Sequence, residues 1–157
     1  MTEASAPARV VAQNRKARHD YAIADRFEVG IVLKGSEVKS LRAGNANIAD
    51  AFAEARGGDL YLMNAYIAEY PGAARFQHEP RRPRRLLLHR RELERLIGKV
   101  ERESMTLVPL LLYFNARGIA KIELALARGR RKYEKREAIR EREWRREKGR
   151  LIRQDQR

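Results

Sequence analysis

Thr106-Leu107-Val108-Pro109-Leu110-Leu111-Leu112-Tyr113-Phe114, the turn Asn115-Ala116-Arg117-Gly118 and the returning run Ile119 to Ala127 decide how this chain folds. The first run is almost wholly apolar. Pro109 inside it has no N–H to give a ladder, which predicts an edge position or a bulge. The returning run alternates, with Ala120, Ile122, Leu124 and Leu126 on one face and Lys121 and Glu123 on the other. A period of two marks a strand with one buried face, so the pair reads as an antiparallel hairpin laid on a core.

Working outward, Tyr21 to Ile23 and Phe27 to Leu33 read as two further strands, and Gly30 predicts a bulge or a close backbone approach. Lys34-Gly35-Ser36 is a turn, with Ser36 expected to cap a short helix from Glu37 to Leu41 that stops at Gly44. Ile48 to Ala55 alternates large with small side chains, and Arg56-Gly57-Gly58-Asp59 turns it into Leu60 to Ile67. Pro71-Gly72, Pro80 and Pro83 mark residues 69–84 as loop. His89 to Val100 places Leu93, Leu96, Ile97 and Val100 on one helical face. About six short strands interrupted by a helix predict a mainly β protein, a small antiparallel OB-fold-like barrel with one to three short helices. The expected division is a flexible leader over 1–12, a barrel over 13–127 and a basic tail over 128–157 that is disordered when free.

The 157 residues carry a net charge of +14. Arg128 to Arg157 alone holds fourteen Lys/Arg against six Asp/Glu, +8 of that total, with few large apolar side chains. Such a segment cannot build a core and is expected to order on a polyanion. Nucleic acid is the favoured partner class and a membrane the weaker one, because no apolar run approaches the length of a spanning helix. The Ala-rich start lacks the pattern of a secretory signal, so a cytoplasmic location is expected. With no cysteine, thiolate chemistry and Cys-based zinc sites are excluded. His19, His78 and His89 have no short metal-ligand spacing and read as structural, so neither a metal, a cofactor nor a catalytic set is expected.

Three basic clusters stand out. Arg81-Arg82-Pro83-Arg84-Arg85, continuing through His89-Arg90-Arg91, is held extended by its prolines, so several guanidinium groups could follow a phosphate backbone. Asn14 to Arg18 sets charge beside the ring of Tyr21, and Gly129 to Arg136 sets Tyr133 among basic residues, the combination nucleic-acid grooves use. Solvated loops and tails have the same composition. Glu28 and Lys121, taken alone, read as surface positions worth under about 1 kcal/mol. Charge and fold thus leave open a general single-strand binder as well as a specific RNA adaptor.

Longer blocks narrow this. Asn14-Arg15-Lys16-Ala17-Arg18-His19-Asp20-Tyr21, Phe27-Glu28-Val29-Gly30, Gly35-Ser36-Glu37-Val38-Lys39-Ser40-Leu41-Arg42, Arg84-Arg85-Leu86-Leu87-Leu88 and Gly129-Arg130-Arg131-Lys132-Tyr133-Glu134-Lys135-Arg136 resemble the SsrA-binding protein (small protein B) family. The resemblance runs in order from about residue 10 to the C-terminus. It implies an OB-like barrel that binds the tRNA-like domain of transfer-messenger RNA (tmRNA) and delivers it to stalled ribosomes for trans-translation. Glu28, Leu87 and Lys121 match the family's RNA-contact positions, and Arg18, Lys39, Arg42, Arg84 and Arg85 lie in matching basic blocks. The tail, through Gly129, Arg130, Arg131, Lys132, Tyr133, Glu134, Lys135, Arg136 and Trp144, would become helical in the small-subunit decoding centre and empty mRNA channel. Elongation factor Tu and alanyl-tRNA synthetase would be partners only indirectly, through tmRNA. Departures from the family pattern are Val29 for Ala, Ser104 for Gly, Arg130 and Arg131 for lysines, and Glu134 for Asp.

Overall fold

A computed structural model describes the backbone of residues 7–73, 75–129 and 132–155, and its side chains outside 130–139 and 152–157. In chain order the elements are β1 (Arg9–Gln13), α1 (Arg15–Asp20), β2 (Tyr21–Ile31), α2 (Gly35–Arg42), β3 (Ala46–Asn47), β4 (Phe52–Arg56), β5 (Asp59–Met63), β6 (Tyr66–Ile67), β7 (Arg84–Leu87), α3 (Arg90–Glu103), β8 (Thr106–Phe114), β9 (Ala120–Gly129) and α4 (Lys132–Asp155). Six strands close a ring in the order β8-β4-β5-β7-β2-β9 and back to β8, every pairing antiparallel, while β1 adds to the far half of β8. Closure removes the open edges that an OB-like sheet would otherwise present.

The quoted hairpin is the spine of that ring. Asn115 turns it, its Oδ1 accepting the N–H groups of Arg117 and Ile119 at 3.0 Å each. Ile122, Leu124 and Leu126 face the barrel interior and pack with Phe27, Val29, Leu86 and Leu112. Each such side chain contributes about 1.5–3 kcal/mol by leaving water. The opposite face of the same strands is buried too: Ala125 and Ala127 join Val108 and Leu110 under Ala17 of α1. Pro109 sits at a register shift between Pro109 and Leu111, so of the two expectations the bulge is the one realised. It is not on an edge, since Asn14 Nδ2 donates to the Pro109 carbonyl at 3.1 Å.

Several local expectations are corrected. Residues 21–31 form one long strand, not two, bent by a register shift between Ile23 and Asp25 opposite β9, and Val32 and Leu33 lie beyond its end. Residues 9–13 are not part of a flexible leader: the far half of β8 has backbone groups to satisfy, and β1 supplies them, with Ala8 N–H donating to Phe114 O at 3.0 Å. The basic cluster that begins at Asn14 runs along a short helix, α1. Asn14 caps α1 through its Oδ1, which accepts from Ala17 N–H at 3.1 Å, and is itself buried. Ser36 does not cap α2, because its Oγ is turned inward to His78 Nδ1 at 2.8 Å. The N-cap is Lys34, whose N–H donates to Glu37 Oε1 at 2.8 Å. Gly57 and Gly58 have φ of +58° and +84°, the conformation a two-residue hairpin requires between β4 and β5.

Beyond Gly129 the chain becomes α4, whose described side chains are all at least partly exposed, Trp144 at 61%. Residues 132–155 are drawn as one helix that buries no described face. Local pairs such as Arg145–Glu141, at 2.8 Å and four residues apart, favour it only by a few tenths of a kcal/mol.

Candidate nucleic-acid interface

The outward face of the barrel wall collects residues from three separate blocks of sequence. Gly30 on β2 is directly opposite Leu87 on β7 and, on its other side, Lys121 on β9. Lys121 in turn faces Tyr113 on β8. One row across four strands therefore reads Leu87, Gly30, Lys121, Tyr113. Glu28, two residues before Gly30, points the same way because side chains alternate along a strand. Glu28, Gly30, Leu87, Leu88, His89, Glu92 and Lys121 line a shallow cleft of ≈ 290 Å³.

Gly30 makes the cleft possible. A Cβ at that position would lie 3.2 Å from the Cβ of Leu87, tighter than nearly all real contacts. With hydrogen alone, β2 and β7 close up, and Leu87 stands over bare backbone with 49% of its surface in water. This is the close approach predicted for Gly30.

Glu28 is oriented from below. Tyr113, 2% exposed, donates its hydroxyl to Glu28 Oε2 in a short hydrogen bond. Burial raises the Tyr113 hydroxyl well above its usual pKa, and the bond to Glu28 and its negative charge push the same way. The phenol therefore stays a donor and fixes the Glu28 carboxylate at the cleft. Lys121 and Leu87 set a cation and an apolar side chain beside it. Tyr113 was missed by sequence reasoning. Counting back through the Asn115–Gly118 turn sets Leu112 opposite Lys121, and only the observed register, Phe114 against Ala120, brings Tyr113 there.

The arginine-rich segment divides by parity. Arg85 is exposed and pairs with Asp59 at 3.4 Å on the surface. Arg84 is 0% exposed and is not an RNA contact. Burial alternates along β7, and Arg84, like Leu86, points inward, beneath α2. Its Nε donates to Glu37 Oε2 in a short contact, its Nη1 to Ala65 O at 2.7 Å and its Nη2 to Pro80 O at 3.0 Å. Arg82 closes on the other oxygen of Glu37. For Glu37, burial pushes the carboxyl up, but bonds from Arg82, the Lys34 N–H and Arg84, with the Arg84 charge, outweigh it and hold it below the ordinary value. Arg81 lies over the ring of Tyr66, 5.6 Å from its centroid. The cluster expected to lie along phosphates is thus partly a buried staple between α2 and the loop that follows β6.

The remaining candidates are dispersed. Arg18 is exposed on α1, and Arg42 is exposed at the end of α2 with its carbonyl accepting from Arg9 Nη2 at 2.6 Å. Lys39, exposed on α2, lies 5.6 Å from the Tyr70 ring centroid, over its face. Gly129 ends β9, and Lys132 to Arg136 lie on the first turns of α4. Arg130 and Arg131 fall outside the described residues. His78 is structural, bonded to Ser36 and, through Nε2, to Ile67 O at 2.9 Å. Among the described residues, no helix is long and apolar enough to cross a membrane.

Comparison with known proteins finds relatives over most of the chain. A family model described as SmpB protein matches residues 11–154. The SsrA-binding protein of Rhodopseudomonas palustris (strain TIE-1) is 60% identical over 145 residues, 92% of each chain. That of Rhodospirillum rubrum is 58% identical over 144 residues, 91% of this chain and 90% of the relative. A solved chain described as "tmRNA-SmpB: a journey to the center of the bacterial ribosome" superposes with a TM-score of 0.65 at 53% identity, covering 82% of this chain and 93% of that one.

Proposed function

The chain belongs to the SmpB protein family, and we propose on that footing that it is an RNA-binding adaptor, as a kinship with proteins named SsrA-binding supports. It is a tmRNA-binding trans-translation factor that acts on the ribosome. The barrel holds the tRNA-like domain of tmRNA, and Glu28, Leu87 and Lys121 form the centre of that contact. The observation that carries this assignment is the row across β7, β2 and β9, which brings residues 28, 87 and 121 into one cleft around Gly30. An aimed acceptor, an apolar plate and a cation suit the backbone and minor-groove hydroxyls of folded RNA, which is read by shape and 2′-OH contacts. Arg85 and the more distant Arg18 and Arg42 add charge that draws the polyanion in.

The tail performs the second task. Gly129 to Arg136 and Trp144 would enter the decoding centre and the empty mRNA channel, where ribosomal RNA phosphates replace the solvent now around α4. Elongation factor Tu and alanyl-tRNA synthetase meet the protein only through the tmRNA. The work is done in the cytoplasm, and we assign the protein no bond-making step of its own.

The test separates the two tasks. Lys121→Glu reduces affinity for the isolated tRNA-like domain while an otherwise identical canonical tRNA and an unstructured RNA bind weakly throughout. Deleting residues 128–157 leaves that affinity nearly intact and abolishes peptide tagging on stalled ribosomes. Equal affinity of the wild type for all three RNAs, or loss of tRNA-like-domain binding on tail deletion with tagging retained, would overturn the assignment.

A further inference from the structure

We propose that the cleft between the start of α2 and the loop Gly72–Gln77 is a separate site for one unpaired RNA nucleotide, its base stacked on Phe76 and its phosphate held by Lys34, Lys39 and Arg75. The proposal rests on the reading of the protein as an RNA-binding factor, but on none of the residues of the Glu28–Leu87–Lys121 cleft, with which this cleft shares no lining residue.

Three observations converge. Phe76 is 84% exposed, more than any other large apolar side chain among the described residues. The cleft beside it measures ≈ 1010 Å³ and is lined by Lys34, Lys39 and Arg75 with no carboxylate among its lining residues. Finally, the loop that presents Phe76 is tied to itself and to the barrel. The Gln77 side chain closes on both backbone groups of Tyr70, its Oε1 accepting the N–H at 2.9 Å and its Nε2 donating to the carbonyl at 2.8 Å. Within that ring, Ala73 N–H donates to Tyr70 O at 3.0 Å and Phe76 N–H to Ala73 O at 2.8 Å. The next residue, His78, is pinned under α2 by Ser36. Phe76 is thus flanked by bonded residues, with its own N–H and the Gln77 side chain both engaged.

An aromatic ring held in water among cations with no countercharge is the arrangement that single-stranded nucleic acid occupies. Stacking supplies sequence-tolerant affinity and the cations track the phosphates. A paired helix cannot use it, because its bases are already stacked. The cleft thus selects a flipped-out or single-stranded nucleotide, and both tmRNA and ribosomal RNA can offer one.

Fluorescence anisotropy of the full chain with a labelled single-stranded tetraribonucleotide tests the site. Phe76→Ala should weaken binding about tenfold, the size of one lost base stack. Phe76→Trp should keep it, and Ile119→Ala, at an exposed apolar position outside both clefts, should leave it as in the wild type. Affinity unchanged in Phe76→Ala overturns the proposal, as does a loss in Ile119→Ala equal to that in Phe76→Ala. Failure of the tmRNA reading shows up elsewhere, in the tRNA-like-domain affinity of Lys121→Glu. A photoreactive benzoylphenylalanine in place of Phe76 then identifies the source. Cross-links to tmRNA in the binary complex, or to ribosomal RNA in the ribosome-bound complex, support the site and name its ligand. Cross-links to protein alone, or to neither RNA, overturn it.

Discussion

Arg84 and Arg85 are neighbours of one residue type, and their replacement by glutamine should have opposite consequences. In Arg84→Gln the shortened side chain abandons Glu37 and leaves the Ala65 and Pro80 carbonyls without their donor. Glu37 is 0% exposed and cannot turn to water. Breaking a buried pair by removing one partner costs about 3–5 kcal/mol. Arg82 and the Lys34 N–H still hold Glu37, which puts this case at the lower end, about 3 kcal/mol. For a barrel of this size that lowers the melting temperature by roughly 10 °C. The Arg85 side chain is 53% exposed and 3.4 Å from Asp59, a contact worth under about 1 kcal/mol. Arg85→Gln should therefore melt within about 3 °C of the wild type but bind the tRNA-like domain more weakly, with a shallower salt dependence because one phosphate contact is gone. Thermal melts followed by circular dichroism, with anisotropy titrations at two salt concentrations, read both quantities. Equal losses of melting temperature in the two variants would refute the division of the arginine segment into staple and contact.

Two further predictions concern stability alone. Ser104 ends α3 in the left-handed region, φ 51° and ψ 43°, where a side chain is strained. Ser104→Gly should raise stability by about 0.5–1 kcal/mol in urea denaturation, and an unchanged or lowered midpoint would show that the turn costs nothing. Glu37, whose folded pKa is depressed, contributes stability that is fully present above its unfolded value of about 4.5 and is lost as pH falls through its lower folded value. An acid titration of unfolding should therefore be steeper in this range for the wild type than for Glu37→Gln, and parallel curves would remove Glu37 from that role.

Much of this was legible in the chain. Period-two alternation from Ala120 to Ala127 specified the inner face of β9, because one sheet face must be apolar to be buried, and the Gly57-Gly58 pair specified its hairpin. The family resemblance singled out Glu28, Leu87 and Lys121, which the fold brings to one cleft. What failed to show was anything set by a partner far along the chain. Arg84 looked like its neighbours in composition, and only the parity of β7 together with a carboxylate 47 residues away turned it inward. Asn14 looked like the start of a basic arm until the backbone of β8 gave its amide a carbonyl to bind.

Sequence by itself therefore determined what is local or periodic: strand faces, turn chemistry, the position of helix α3, the net charge and the unsupported tail. Tertiary structure alone decided which charges are spent and which remain for RNA. A buried guanidinium must find acceptors wherever the fold brings them, whereas an exposed one keeps its charge available. Closure of the barrel did both at once, burying Arg84 on Glu37 and setting Lys121 and Leu87 on either side of Gly30.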